Sequence, residues 1–218
     1  MPEAPHRCRL VLVTPPAVDA GFTAKLAAAL EAGDVASLIL PRYDLDDDDA
    51  FQKLAERLVP LAQEKGVAAI VAGDTRVAGR VKADGVHVEE GKAALADAVE
   101  RYGKKMMVGA GGAKTRDDAL ELGEEQPDYL FFGRFGYDVK PEPHARNLSL
   151  GGWWAQMIEI PCIVLAGSDT ASVREVAATG AEFVALSSAV FGDGRDPAAE
   201  VARANALLDE HAPRFEEA

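Results

Sequence analysis

Cysteine is scarce: the 218 residues contain only Cys8 and Cys162, both in apolar strand-like runs, CRLVLVT and PCIVLAG. A disulfide framework is therefore not indicated, and buried reduced thiols are expected. No apolar run approaches the ~20 residues needed to cross a bilayer. The segment MPEAPHRCRL also lacks the basic-then-apolar order of a secretory signal, so a soluble cytoplasmic protein is expected. Basic residues are in the minority, 23 against 36 acidic, for a formal charge of −13. That field repels nucleic acid and anionic membrane, and a polyanionic substrate would need local basic groups or a metal. The acidic run DLDDDD at 44–49 lacks the glycine and the distal bidentate glutamate of a calcium loop. It reads as a solvated helix start.

No linker or low-complexity segment divides the chain, and one domain over residues 1–218 is expected. Short apolar runs alternate with helical patterns throughout. Strands are expected at 8–14, 36–40, 68–72, 85–88, 105–109, 129–132, 162–166 and 183–186. Helices are expected at 23–31, 48–65, 75–82, 91–102, 115–122, 153–158, 170–179 and 197–211. Asp48 and Thr115 suit N-caps; Gly66, Gly103 and Gly180 suit helix ends. Continuous apolar strands fit a parallel sheet covered on both faces. The alternation predicts an α/β fold, a single (β/α)8 barrel, with an open doubly wound sheet as the alternative. The one long connection spans 133–151.

In such barrels the site lies at the carboxyl ends of the strands. Gly167-Ser168 and Ser187-Ser188 follow the last two strands, where small residues free backbone N–H groups for a phosphate. The same residues could simply close turns. Asp74 ends the third strand, placed either to meet Mg2+ or a substrate amine or to cap the next helix. Of Glu89 and Glu90 at most one aims into the mouth, because successive strand residues face opposite ways. His87 within that strand reads as a hydrogen-bonded barrel residue. In the long connection Lys140, His144 and Arg146 offer anion-attracting groups, and Trp153 and Trp154 are expected to hold the sixth helix on the barrel.

The succession "LVLVT", "LAQEKGVAAIVAGD", "KADGVHVEE", "DYLFFG", "IPCIVLAG" and "TGAEFVALSSAVFG" resembles the thiamine phosphate synthase superfamily, which includes a thiazole tautomerase branch. The likeness covers residues 8–192. It implies a (β/α)8 barrel that joins a pyrimidine pyrophosphate to a thiazole phosphate and releases pyrophosphate with Mg2+ assistance. Position by position, it also exposes departures. The family's cationic clamp after strand 2 is reduced to Arg42, with Pro41 and Tyr43 at basic positions. Asp74 survives without its asparagine neighbour, and Lys92 stands where a second metal aspartate is usual. Gly111-Gly112-Ala113 replaces a serine and the tautomerase histidine, and Gly136–Lys140 replaces a threonine-rich loop.

The resemblance thus implies an intact phosphate end, Gly167, Ser168, Ser187 and Ser188. It leaves a depleted substrate end formed by Arg42, Asp74, Glu89 and Lys140, with weak Mg2+ binding at Asp74. The favoured expectation is a divergent member that binds a small phosphorylated ligand at the carboxyl-end face of the barrel, with synthase activity left open. The alternatives are a genuine synthase using Mg2+ and a ligand-free scaffold. Homo-oligomerisation stays open.

Overall fold

A computed structural model describes residues 5–43 and 48–215. The expected strands appear as β1 (Arg9–Val13), β2 (Val35–Pro41), β3 (Ala68–Ala72), β4 (Gly85–Val88), β5 (Met107–Ala110), β6 (Tyr129–Phe132), β7 (Cys162–Leu165) and β8 (Phe183–Leu186). They form a closed parallel barrel in chain order, β1 pairing with β8 from Arg9↔Phe183 to Leu12↔Leu186. The fold is the α/β barrel expected from the alternation, not an open sheet.

Period-two alternation divides the core. Val11, Val13, Ile39, Ile70, Phe131, Ile163 and Leu165 fill the barrel interior. Their neighbours Leu10, Leu12, Leu38, Leu40, Leu130 and Val164 face the helical layer. Each such buried side chain is worth roughly 1.5–3 kcal/mol. The helices are α1 (Phe22–Glu31), α2 (Asp48–Glu64), α3 (Thr75–Val81), α4 (Lys92–Tyr102), α5 (Arg116–Gly123), α6 (Ala145–Met157), α7 (Val173–Ala177), α8 (Ser188–Phe191) and α9 (Pro197–His211). Thr115 caps α5 in a reciprocal capping box with Asp118. Asp48 is the first residue of α2 rather than a flanking cap, and most of the DLDDDD run, residues 44–47, lies outside the described residues. No helix among the described residues is long and apolar enough to cross a membrane.

The main departure from expectation is α6, which starts at Ala145 and not at Trp153. Asn147, Ser149 and the Gly151-Gly152 pair look like helix breakers. In the fold a Cβ on Gly151 would lie 2.3 Å from Val164 Cγ2, so the glycine is what lets α6 settle onto β7. Trp154 is fully buried and donates its indole N–H to Ile160 O at 2.7 Å. The long connection therefore shortens to residues 133–144.

At the amino ends of the strands a device repeats four times. The acidic residue just before each even-numbered strand reaches back to the start of the preceding odd-numbered one. Asp34 takes Arg9 in a bidentate pair at 2.7 and 2.9 Å. Asp84 accepts Ala69 N at 2.8 Å, Asp128 accepts Val108 N at 2.7 Å, and Glu182 accepts Cys162 N at 2.8 Å. Part of the acidic excess is thus structural. Cys8 and Cys162 are free and buried, as expected, and burial pushes the Cys8 thiol up to about 12.

Candidate active site

The carboxyl ends of β1–β8 converge on a mouth crossed by residues 133–144. This segment leaves β6 at Gly133, then drops Phe135 into the barrel interior, where its ring sits 4.7 Å from Phe131 and 5.3 Å from His87. Gly136, at φ 76°, passes Tyr43 and Pro16 so closely that a Cβ would meet each at 3.2 Å. The segment then reaches the loops after β8 and β7 before His144 caps α6 by accepting Arg146 N at 3.1 Å. We refer to residues 133–144 as the strap.

Under the strap is a cavity of about 340 Å³, lined by Arg42, Tyr43, Glu89, Arg134, Phe135 and Tyr137. That volume falls within the range of small-ligand sites. Tyr43 adopts φ 42°, uncommon for a residue with a side chain, and its hydroxyl donates to Thr14 O at 2.7 Å. Burial, helped by the charges of Asp138 and Glu89, raises the Tyr43 hydroxyl far above its usual range. The Arg134 guanidinium lies 3.8 Å over the Tyr137 ring. Burial first, and then repulsion from Glu90, raises the Glu89 carboxyl; Arg134 opposes the shift.

On the floor, His87 Nδ1 lies 3.0 Å from the Tyr129 hydroxyl, and the ring is buried between Tyr129, Phe131 and Phe135. Burial lowers its pKa to about 3, so at neutral pH the ring is uncharged. His87 is the hydrogen-bonded barrel residue that was expected. Its Nε2 has no hydrogen-bond partner, with Glu89 Oε1 at 4.0 Å. Two glycines make this arrangement fit. A Cβ on Gly109 would meet the Tyr129 ring at 2.0 Å, and one on Gly111 would stand 2.8 Å from His87 Nε2.

Asp74 resolves toward the capping alternative. Its Oδ1 accepts Arg76 N and Val77 N, each at 3.0 Å, and its Oδ2 takes Arg42 Nη1 at 3.1 Å. Lys92 turns to Glu124 and Glu125 on the rim. No group of three or more histidine, cysteine or acidic side chains suited to a metal occurs among the described residues. With Asp74 already accepting three hydrogen bonds and no such cluster around it among the described residues, the residues present do not fit a resident Mg2+.

At the opposite rim, the donors expected to meet a phosphate have internal acceptors. Gly167 N donates to Ser172 Oγ at 3.0 Å and Ser168 N to Lys140 O at 2.7 Å. Ser188 N donates to Asp138 Oδ2 at 2.7 Å, and the Ser188 hydroxyl lies 2.5 Å from Asp138 O and 2.7 Å from Oδ2. Ser187 is buried beside them. The carbonyl of Ser168 accepts Arg195 Nη2 at 3.0 Å. Neither Asp138 nor Arg195 stood out in the sequence. Both make these contacts across long chain separations, and no local pattern marks them.

A family pattern described as thiamine monophosphate synthase matches residues 10–190. The chain belongs to that family. It is 36% identical over 203 residues to a thiamine-phosphate synthase of Rhodospirillum centenum, covering 92% of this chain and 98% of that one. A thiamine-phosphate synthase of Erythrobacter litoralis is 34% identical over 200 residues, covering 89% and 94% of the two chains. Among solved structures, a thiamine phosphate pyrophosphorylase from Pyrococcus furiosus superposes with a TM-score of 0.79 at 23% identity, covering 95% of this chain and 98% of that one. This last likeness speaks for the fold. In this family member, then, Arg42, Asp74, Glu89 and the start of the strap border one side of the mouth, and Asp138 and Lys140 of the strap lie with Ser188 and Ser168 on the other.

Proposed function

We propose that the protein is a thiamine-phosphate synthase, joining a pyrimidine pyrophosphate to a thiazole phosphate. The observation that carries this reading is the 36% identity spanning 98% of a curated synthase. It weighs against the expectation of a divergent ligand binder and in favour of the genuine synthase. In the reaction the bond from the pyrimidine methylene to the pyrophosphate oxygen breaks. The thiazole nitrogen supplies the electron pair for the new carbon–nitrogen bond, and pyrophosphate departs with the electrons of the old one.

The chain's own groups suit that separation of charge. Positive charge developing on the methylene would be met by the Phe135 ring and the Glu89 carboxylate beside the cavity. Arg42 and Arg134, on the same cavity, would face the departing pyrophosphate. Mg2+, the family's usual aid, would have to arrive with the pyrophosphate itself, since the residues present do not fit a resident ion. The uncharged His87–Tyr129 pair packs behind Phe135 and sets no competing charge beneath the cation.

The test is to incubate the purified protein with the two substrates, with and without Mg2+, and to follow thiamine phosphate and pyrophosphate together. Stoichiometric formation of both supports the reading. A folded protein that yields neither, beside an active synthase control, would overturn it.

A further inference from the structure

Midway along the strap a carboxylate is placed where a phosphate was expected. Asp138 is buried, and its Oδ2 holds both the backbone N–H and the hydroxyl of Ser188, at 2.7 Å each. Next to it, Ser168 N is taken by Lys140 O at 2.7 Å and Asp169 N by Pro141 O at 3.3 Å. Gly167 lies against the same backbone, so close that a Cβ there would be 2.1 Å from Pro141 O. The contact is specific on both sides. One stretch, 138–141, meets the loops after β7 and β8 together, and no phosphate can use Ser188 or Ser168 while it stays.

We propose that Asp138 is the specificity-determining residue of this rim, an internal anion that occupies the Ser188 donors and yields only to a phosphate-bearing ligand. The reasoning is electrostatic. A carboxylate and a phosphate cannot share one pair of donors, because like charges at contact distance repel strongly. Exchange is the only route. A phosphate dianion offers three strong acceptor oxygens against two on Asp138, so it can win where a neutral or weakly polar ligand of similar shape cannot. Asp138 competes at the high effective concentration of a tethered group, so bare phosphate binds weakly to the intact protein. The overall charge of −13 further weakens the binding of bare phosphate. The inference rests on the proposed function only in taking a phosphorylated molecule as the ligand admitted.

Inorganic phosphate is the probe, titrated into the parent, Asp138→Asn and Asp138→Ala at constant ionic strength. Hydrogen exchange is read in parallel at the Ser168 and Ser188 amides. Asp138→Asn keeps the size of the side chain and an acceptor oxygen but removes the charge. The expected result is phosphate affinity at least tenfold tighter in Asp138→Ala and several-fold tighter in Asp138→Asn. Ser188 should exchange faster in the free Asp138→Ala protein, with protection restored by phosphate. Equal phosphate affinity in all three proteins, or a Ser188 amide indifferent to both substitution and phosphate, overturns the proposal. Should Asp138→Ala not fold, an Asp138→Asn protein that binds no more tightly than the parent overturns it as well. The synthase reading fails separately, through absence of coupling in a protein whose phosphate response is as described.

Discussion

Acidification should expose the cost of keeping His87 neutral. Its pKa is held near 3 by burial, against an ordinary value of 6.5. Below about pH 6.5 the unfolded chain binds a proton at this position and the native protein does not. Stability therefore falls with pH through the window from about 6.5 down to about 3, at about 1.4 kcal/mol per pH unit. Between pH 7.5 and 5.0 this one group accounts for about 2 kcal/mol, equivalent to about 4–8 °C in a chain of this size. Carboxylates titrate over the same range, so the measurement has to be a difference. Urea unfolding of the parent and of His87→Gln at pH 7.5, 6.0 and 5.0 gives it, since glutamine retains a polar group for the Tyr129 hydroxyl but cannot be protonated. The parent should lose about 2 kcal/mol more than the variant over that interval. Parallel losses in the two proteins, or a smaller loss in the parent, would mean that His87 charges inside the fold. The neutral floor beneath the cavity would then have to be abandoned.

Gly109→Ala should be among the costliest of the glycine replacements. The new methyl would fall 2.0 Å from a Tyr129 ring with no room to retreat. Overpacking of this kind costs about 3 kcal/mol, to be read from the thermal midpoint. Asp74→Ala removes the α3 cap and one partner of Arg42 at once, and should lower stability by about 1–2 kcal/mol in chemical denaturation. Calorimetry of Mg2+ against the protein alone should give no saturable heat, because Asp74 is committed to Arg42 and two backbone donors. Tight binding abolished by Asp74→Ala would contradict that reading.

The barrel was legible because its signals are local. Short apolar runs mark each strand, and β3, β4, β6 and β8 fall at the expected residues. Strand β5 begins at Met107 instead of residue 105, since Lys105 N still bonds back to Tyr102 O in the turn after α4. Helix α6 was hidden by glycines whose purpose is steric and shows only once Val164 is placed beside them. The site was harder still to read. Asp74 could be assigned to the mouth by position, but whether it caps or coordinates depends on where Arg42 points. Asp138 meets Ser188 across 50 residues of chain, and in the sequence it is only one more acidic side chain in an acidic protein.

The four carboxylates at the amino ends divide the barrel into β–α–β units. Asp34, Asp84, Asp128 and Glu182 each fix one odd strand to the even strand that follows. This bears on where the chain can be reopened. New termini in the connections leading into β3, β5 or β7 leave every such contact undisturbed. New termini beside residues 34, 84, 128 or 182 would fray the carboxylate itself. A set of circular permutants should therefore sort by the parity of the strand that follows the cut, and a barrel that looks eightfold would behave as an assembly of four parts.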